Sequence, residues 1–329
     1  MIQAFSRPTR NLKLPFSTAI DLSRMLAFSG QLFAVKTEPG RMKGELRIAP
    51  GVADGCMSIT TNRSLFVCGQ KNPLSTIFCA LDPQLQAYTG MMRNFSNDLS
   101  SVAMRVLSGF SNQTRFRFLH LPANTRMLVY FCPLQTIEHN VLHSTNTILP
   151  SAESLNRFRT ILMDILGHNV GNDDADVSDL TNRCREVIKK TLEDCFVSRD
   201  TVKGIPLKVI QRHELCKDLA AWGYANVDQP QSLESVLHQL HTTRGSLSQG
   251  CKEALGIGPM EVLRYIRLEH VYASLRYSSI RQKINCHSVE ELREHYGFKS
   301  RGNFSVLYKK YFGESPRQTL SMSKVDRSL

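Results

Sequence analysis

From Ser232 to Gly313 the sequence sets out two short helices across a tight turn and then sets them out again, and no other stretch restricts the fold as much. In the first copy Leu233, Val236, Leu237 and Leu240 fall on one helical face before the chain breaks at His241-Thr-Thr243. Thr243 is the expected N-cap of the following helix, which turns Leu247, Cys251, Ala254 and Leu255 inward and closes at Gly256. The second copy opens with Ser288-Val-Glu-Glu291, a capping box, and puts Val289, Leu292 and Tyr296 inside before Gly297. Ser300 then caps a helix whose Phe304, Leu307, Tyr308 and Tyr311 recur at i, i+3, i+4 and i+7 up to Gly313. One such pair is a weak sign of a helix-turn-helix; two in tandem are a strong one.

Between the copies Pro259 opens a helical run from Met260 to about Tyr277, at a position where its fixed φ suits a first turn. At 1.5 Å per residue this helix spans about 25 Å. A strut of that length holds two small bundles apart rigidly, and successive major-groove segments on one face of DNA lie about 34 Å apart.

With these residues in place, the segment from about Leu207 to Leu320 resembles the DNA-binding module of the AraC/XylS family. The second copy carries Gly297-Phe298, Ser300, Phe304 and the run Tyr311-Phe-Gly-Glu-Ser-Pro316; the first matches through Thr243-Arg244, Leu247, Lys252 to Pro259, and Arg267-Leu268. It departs where the family has a small Ala in the first helix of each copy, since Leu237 and Arg293 stand there. Gly245 and Gly250 also fall inside the first recognition helix, each costing about 1 kcal/mol relative to Ala.

The resemblance implies a sequence-specific DNA-binding transcription regulator, read here as an activator without the residues deciding against a repressor, that works with RNA polymerase. It places Arg301, Gly302, Asn303 and Val306 toward the bases. Their chemistry suits that role: Arg pairs with guanine O6 and N7, Asn with adenine, and Val meets a thymine methyl. Lys309 and Lys310 are then phosphate ligands. On the first recognition helix Gln249 and Ser248 are the candidate base readers, with Arg244 and Lys252 at phosphates. For any one of these charges the bland alternative is a solvated helix face.

Charge agrees with a polyanionic partner. The 329 residues carry 41 Lys and Arg against 29 Asp and Glu, and from Gln231 onward the ratio is 15 to 9, a net positive surplus per residue about twice that of the rest. A basic scaffold or a nonspecific nucleic-acid-binding protein would also explain the charge, but not the duplicated motif. No phosphate loop, dinucleotide fingerprint or nucleophile elbow is present, so an enzyme is not expected, and no cofactor is implied. The N-terminus lacks a signal-peptide core and no run reaches the roughly 18 apolar residues of a membrane span, which suits a cytoplasmic protein away from membranes.

The expected architecture is multidomain α+β. Residues 1–200 form a β-rich domain ending in a helical hairpin, 201–206 a linker, and 207–321 an all-α double helix-turn-helix domain. A short helix fits Ala19 to Ala27. Runs at Glu45–Ile48, Cys56–Thr60, Ser64–Cys68, Thr76–Cys79, Arg115–Leu119 and Met127–Phe131 fit one antiparallel sheet or barrel.

Two amphipathic segments follow, around Leu155 to Leu166 and Leu180 to Cys195, with a loop at Gly171 to Asp176. Residues 151–196 are either a homodimerisation face or a hairpin packed on its own sheet. His139 and His143 have helical spacing beside Glu138, but not the order of a zinc-binding helix, so no metal site is assigned. The nine cysteines are scattered, with no CxxC pair, as in a reducing compartment. By resemblance the N-terminal domain senses an effector, a small molecule whose identity the residues do not specify, or dimerises.

Overall fold

The computed structural model describes residues 12–51, 54–71, 75–82, 105–108, 115–133, 147–167, 174–197, 211–229 and 232–325. Among the described residues the N-terminal part has ten strands: β1 (Leu12–Phe16), β2 (Gly30–Lys36), β3 (Gly44–Pro50), β4 (Gly55–Thr61), β5 (Leu65–Lys71), β6 (Ser75–Asp82), β7 (Leu107–Ser108), β8 (Arg115–Leu121), β9 (Thr125–Pro133) and β10 (Thr147–Ile148). They form two antiparallel sheets, where one sheet or barrel was expected. One has seven strands in the order β1-β3-β4-β9-β6-β7-β10, the other three in the order β2-β5-β8. Helix α1 (Ala19–Met25) links β1 to β2, and the hairpin is α2 (Ala152–Gly167) with α3 (Asp174–Val197).

Strand alternation sorts successive side chains into different layers. On β9, Met127, Val129 and Phe131 face the small sheet, where they meet Leu32, Ala34, Leu65 and Val67. Their neighbours Leu128, Tyr130 and Cys132 face the other way and pack under Leu155, Phe158, Leu162, Ile188 and Leu192 of the hairpin. The hairpin's apolar stripe is therefore buried on its own sheet. The segment Gly171 to Asp176, expected as a loop, is already helical from Asp174. Asp54 fixes α3 from beneath, its carboxylate accepting two bonds from Arg185 (2.7 and 2.8 Å) and one from the Tyr130 hydroxyl (2.6 Å). These bonds outweigh desolvation and hold the Asp54 carboxyl below its ordinary range.

The small sheet has a second apolar face. Val35, Phe66 and Cys68 point away from the large sheet and join Cys216, Leu219 and Ala220 in one core with the first helical unit. The order of layers is thus hairpin, large sheet, small sheet, helical domain. β1 and β2 were not among the expected strands. β2 is covered on both faces, so Leu32 to Val35 show no polar alternation, and it ends in a buried lysine.

The helical domain comprises α4 (Gln211–Ala225), α5 (Leu233–Gln239), α6 (Arg244–Leu255), α7 (Pro259–Arg276), α8 (Ser278–Lys283), α9 (Val289–His295), α10 (Arg301–Phe312) and α11 (Pro316–Val325). The strut α7 stops at Arg276, within a residue of the expected end, and the short helix α8 that follows it was not expected. Eight of the nine cysteines are buried and none is disulfide-bonded. The expected linker at 201–206 and the pair His139 and His143 lie outside the described residues.

Candidate nucleic-acid interface

Each helix-turn-helix unit is held by local determinants that repeat. Ser232 and Ser288 close capping boxes at the starts of α5 and α9, with Ser235 and Glu291 as reciprocal partners. The Ser232 box has Ser at the third position instead of the usual Glu or Gln, so its signal is weak in the sequence. Thr243 accepts the backbone N–H of Ser246, and Ser300 that of Asn303, at the starts of the recognition helices α6 and α10. Both helices end in left-handed glycines, Gly256 and Gly313, where a side chain would be strained.

Leu247 and Cys251 bury one side of α6. Phe304, Tyr308, Tyr311 and Phe312 do the same for α10, while Leu307 is only half-buried.

The two units sit on opposite ends of α7. Its Val262, Leu263 and Ile266 belong to the first core, and Leu268, Val271, Tyr272 and Leu275 to the second. The strut is 18 residues long, about 27 Å. Arg293, which replaces the expected small residue of α9, is buried in the turn. Its guanidinium donates to the carbonyls of Phe298 and Lys299 and to the carboxylates of Glu290 and Glu294, tying α9 to the turn ahead of α10. Leu237, its counterpart in α5, is half-buried against the first core.

The outward stripes hold the candidate contacts. On α10, Arg301, Asn303, Lys309 and Lys310 are exposed, and Val306 is 67% exposed, an unusual state for a large apolar residue. On α6, Arg244, Gln249 and Lys252 are exposed and Ser248 is half-buried.

Three contacts engage these side chains, two of them between helices and one within α6. Arg244 pairs with Glu234 of α5 (3.5 Å), and Arg301 with Glu290 of α9 (3.8 Å), so the first residue of each recognition helix faces an acid of the preceding helix. The Gln249 amide donates to Glu253 (2.8 Å), which stands on α6 where α10 has Lys310. The acid thus occupies a place where the second unit offers a cation. Among the described residues no group of three His, Cys, Asp or Glu is placed to hold a metal, and no helix is long and apolar enough to cross a membrane.

A pair of capped two-helix units on one helical strut, each with its second helix turned outward, defines a DNA-binding domain. Residues 236–322 match the family model described as a helix-turn-helix domain. Over 100 residues the chain is 33% identical to the XylDLEGF operon transcriptional activator 2 of Pseudomonas putida, covering 30% of this chain and 61% of that protein. Over 96 residues it is 30% identical to the probable thc operon regulatory protein of Rhodococcus erythropolis, covering 29% of this chain and 28% of that one. The chain therefore spans less than two thirds of the length of either relative.

Among solved structures, a probable AraC family transcriptional regulator from Rhodopseudomonas palustris aligns with 33% of this chain and 97% of its own at 21% identity, TM-score 0.30. ToxT from Vibrio cholerae aligns with 96% of this chain and 98% of its own at 10% identity, TM-score 0.32. The C-terminal part of this chain carries a helix-turn-helix domain similar to those of AraC-type regulators.

Proposed function

We propose that the chain is a sequence-specific transcription activator that reads two adjacent major-groove segments of promoter DNA with α6 and α10. One observation carries the reading: two recognition helices of the same build, each capped and with its outward stripe exposed, stand at the two ends of one rigid strut. In this role Arg301, Asn303, Val306, Gln249 and Ser248 face bases, and Arg244, Lys252, Lys309 and Lys310 face phosphates. Activation, by analogy with the Pseudomonas putida relative's name, implies contact with RNA polymerase in the cytoplasm. The β-rich half is then the effector-sensing or dimerising part. A dimer through residues 151–196 would have to use the hairpin's outer side, because its apolar stripe is spent on the sheet.

The test is selection of the full-length protein on a randomised duplex library, followed by footprinting of the winning site. The expected footprint covers two successive major-groove segments on one face of the duplex. Retention of duplexes without sequence enrichment would favour a basic scaffold instead.

A further inference from the structure

Eight glycines lie between Gln211 and Val325, and six of them have a reason inside the chain. A Cβ at Gly223 would strike Leu263 at 2.7 Å, Gly250 is buried in the first unit, and Gly258 is the N-cap of the strut. Gly256, Gly297 and Gly313 have positive φ. Gly245 and Gly302 have none of these reasons. Each is the second residue of a recognition helix, exposed, and with nothing within 4 Å of where a Cβ would stand. Glycine there weakens the helix it opens, and no neighbour in the protein needs the space.

Their position is the same in both units. Arg244-Gly245 follows the cap Thr243 as Arg301-Gly302 follows Ser300. Residues three and four apart share a helix face, so Gly245 begins the stripe of Ser248 and Gln249, and Gly302 the stripe of Ser305 and Val306. Both glycines thus stand at the leading tip of the surface that carries the candidate base contacts. Absence of a side chain is useful where another molecule's surface comes close to the backbone. In helix-turn-helix proteins it is the N-terminal end of the recognition helix that lies against base edges.

We infer that Gly245 and Gly302 are the two points at which major-groove DNA approaches the recognition-helix backbone more closely than a Cβ permits, so that each helix enters the groove tip first. This rests on the DNA-binding reading above and adds to it two specificity-determining positions that carry no side chain. The flanking Arg244 and Arg301, each oriented by an acid of the preceding helix, then reach past the glycine in the same way in both units.

The experiment uses the full chain with Gly245→Ala, Gly302→Ala and, as control, Gly167→Ala, which also faces open space but at the end of α2. Melting temperature and affinity are measured for each, on the site selected by the parent protein and on a scrambled duplex. The expected result is an unchanged or higher melting temperature for both recognition-helix variants. With it comes a loss of affinity for the selected site on the order of tenfold each, comparable to losing one good base contact. Affinity for scrambled DNA should barely move, and the control should change neither quantity.

Selected-site affinity equal to or above that of the parent would overturn the inference while leaving the DNA-binding reading intact. A lower melting temperature would overturn it too, by giving the glycine a role within the chain. A parent protein that prefers no sequence at all would bring down both readings together.

Discussion

The Lys36 ammonium lies 3.7 Å from the Glu269 carboxylate, with the two side chains 0% and 2% exposed, and this pair joins the small sheet to the middle of the strut. Lys36 also donates to the carbonyls of Gly40 (2.9 Å) and Tyr311 (3.1 Å) and sits 3.7 Å from the Tyr311 ring centre. Tyr311 is in the last turn of α10, so the ammonium neutralises the negative end of the second recognition helix. Glu269 accepts the backbone N–H of Ala19 at 2.8 Å. One buried cluster therefore connects the β-rich half, the strut and the helix α10. Burial draws the Lys36 pKa down to about 8 and pushes that of Glu269 up, in each case against the pull of the partner.

Removing one member of this pair leaves the other without its compensating charge, which typically costs about 3–5 kcal/mol, whereas a well-packed apolar replacement of both is far milder. Lys36→Met and Glu269→Leu should each lower the urea midpoint strongly, and the double variant should lose much less than their sum. Strictly additive losses would mean that the pair is not coupled.

His270 gives the acid side of the stability profile. It lies on the strut between the rings of Tyr224 (5.5 Å) and Tyr296 (6.1 Å), with its Nε2 buried and unbonded. Desolvation lowers its pKa from 6.5 to about 4. Between those values the unfolded chain binds a proton that the folded one does not, so stability falls as pH drops from 6.5 toward 4. At 1.36 kcal/mol per unit the full effect is about 3 kcal/mol. Replacing it by a side chain that does not titrate, His270→Gln, should flatten the profile in that window when unfolding is followed by urea at several pH values. An identical slope in parent and variant would assign the acid sensitivity to other groups.

The duplicated units are legible in the sequence because their determinants are local. Thr243, Ser288 and Ser300 lie next to the amides they cap, and Phe304, Tyr308 and Tyr311 repeat at the helical period. The grip between the halves is not legible in this way. Lys36 and Tyr311 are 275 residues apart, and a lysine closing a strand reads as an edge charge until its partner is known. The same holds for β2, whose two apolar faces belong to two different cores. Within the site, residue types identify which side chains can meet DNA. Gln249 and Glu253 stand four apart on one helix, a spacing the sequence does show, whereas the engagement of Arg301 by Glu290 depends on how two helices are placed and emerges only in three dimensions.

Affinity for the selected site should fall steeply with salt. Arg244, Lys252, Lys309 and Lys310 are all exposed on the recognition helices, and each phosphate neutralised releases condensed counterions. Four such contacts give a slope of log K against log salt near −4 (about −0.9 per phosphate). Lys309→Ala should make that slope shallower by about one while weakening all sequences alike. A specific complex with a flat salt dependence would remove the phosphate assignments.

The two units should contribute unequally to base preference, with α10 dominant. Its Arg301 and Asn303 are both exposed and capable of bidentate base pairing, each such contact being worth about 1–3 kcal/mol of discrimination. On α6 the comparable side chain is Gln249, whose amide is already bonded to Glu253, and that carboxylate would be repelled by nearby phosphates. Arg301→Ala and Asn303→Ala should therefore relax preference at one or two base pairs each. Ser248→Ala should change little and Gln249→Ala less than either α10 variant. Glu253→Gln removes the acid that engages Gln249 and should raise affinity while sharpening preference in the first half of the site. Randomised-site binding of all five variants measures this directly. If Gln249→Ala shifts base preference more than both Arg301→Ala and Asn303→Ala, the first unit is the principal reader, and its contact with Glu253 orients Gln249 for the task.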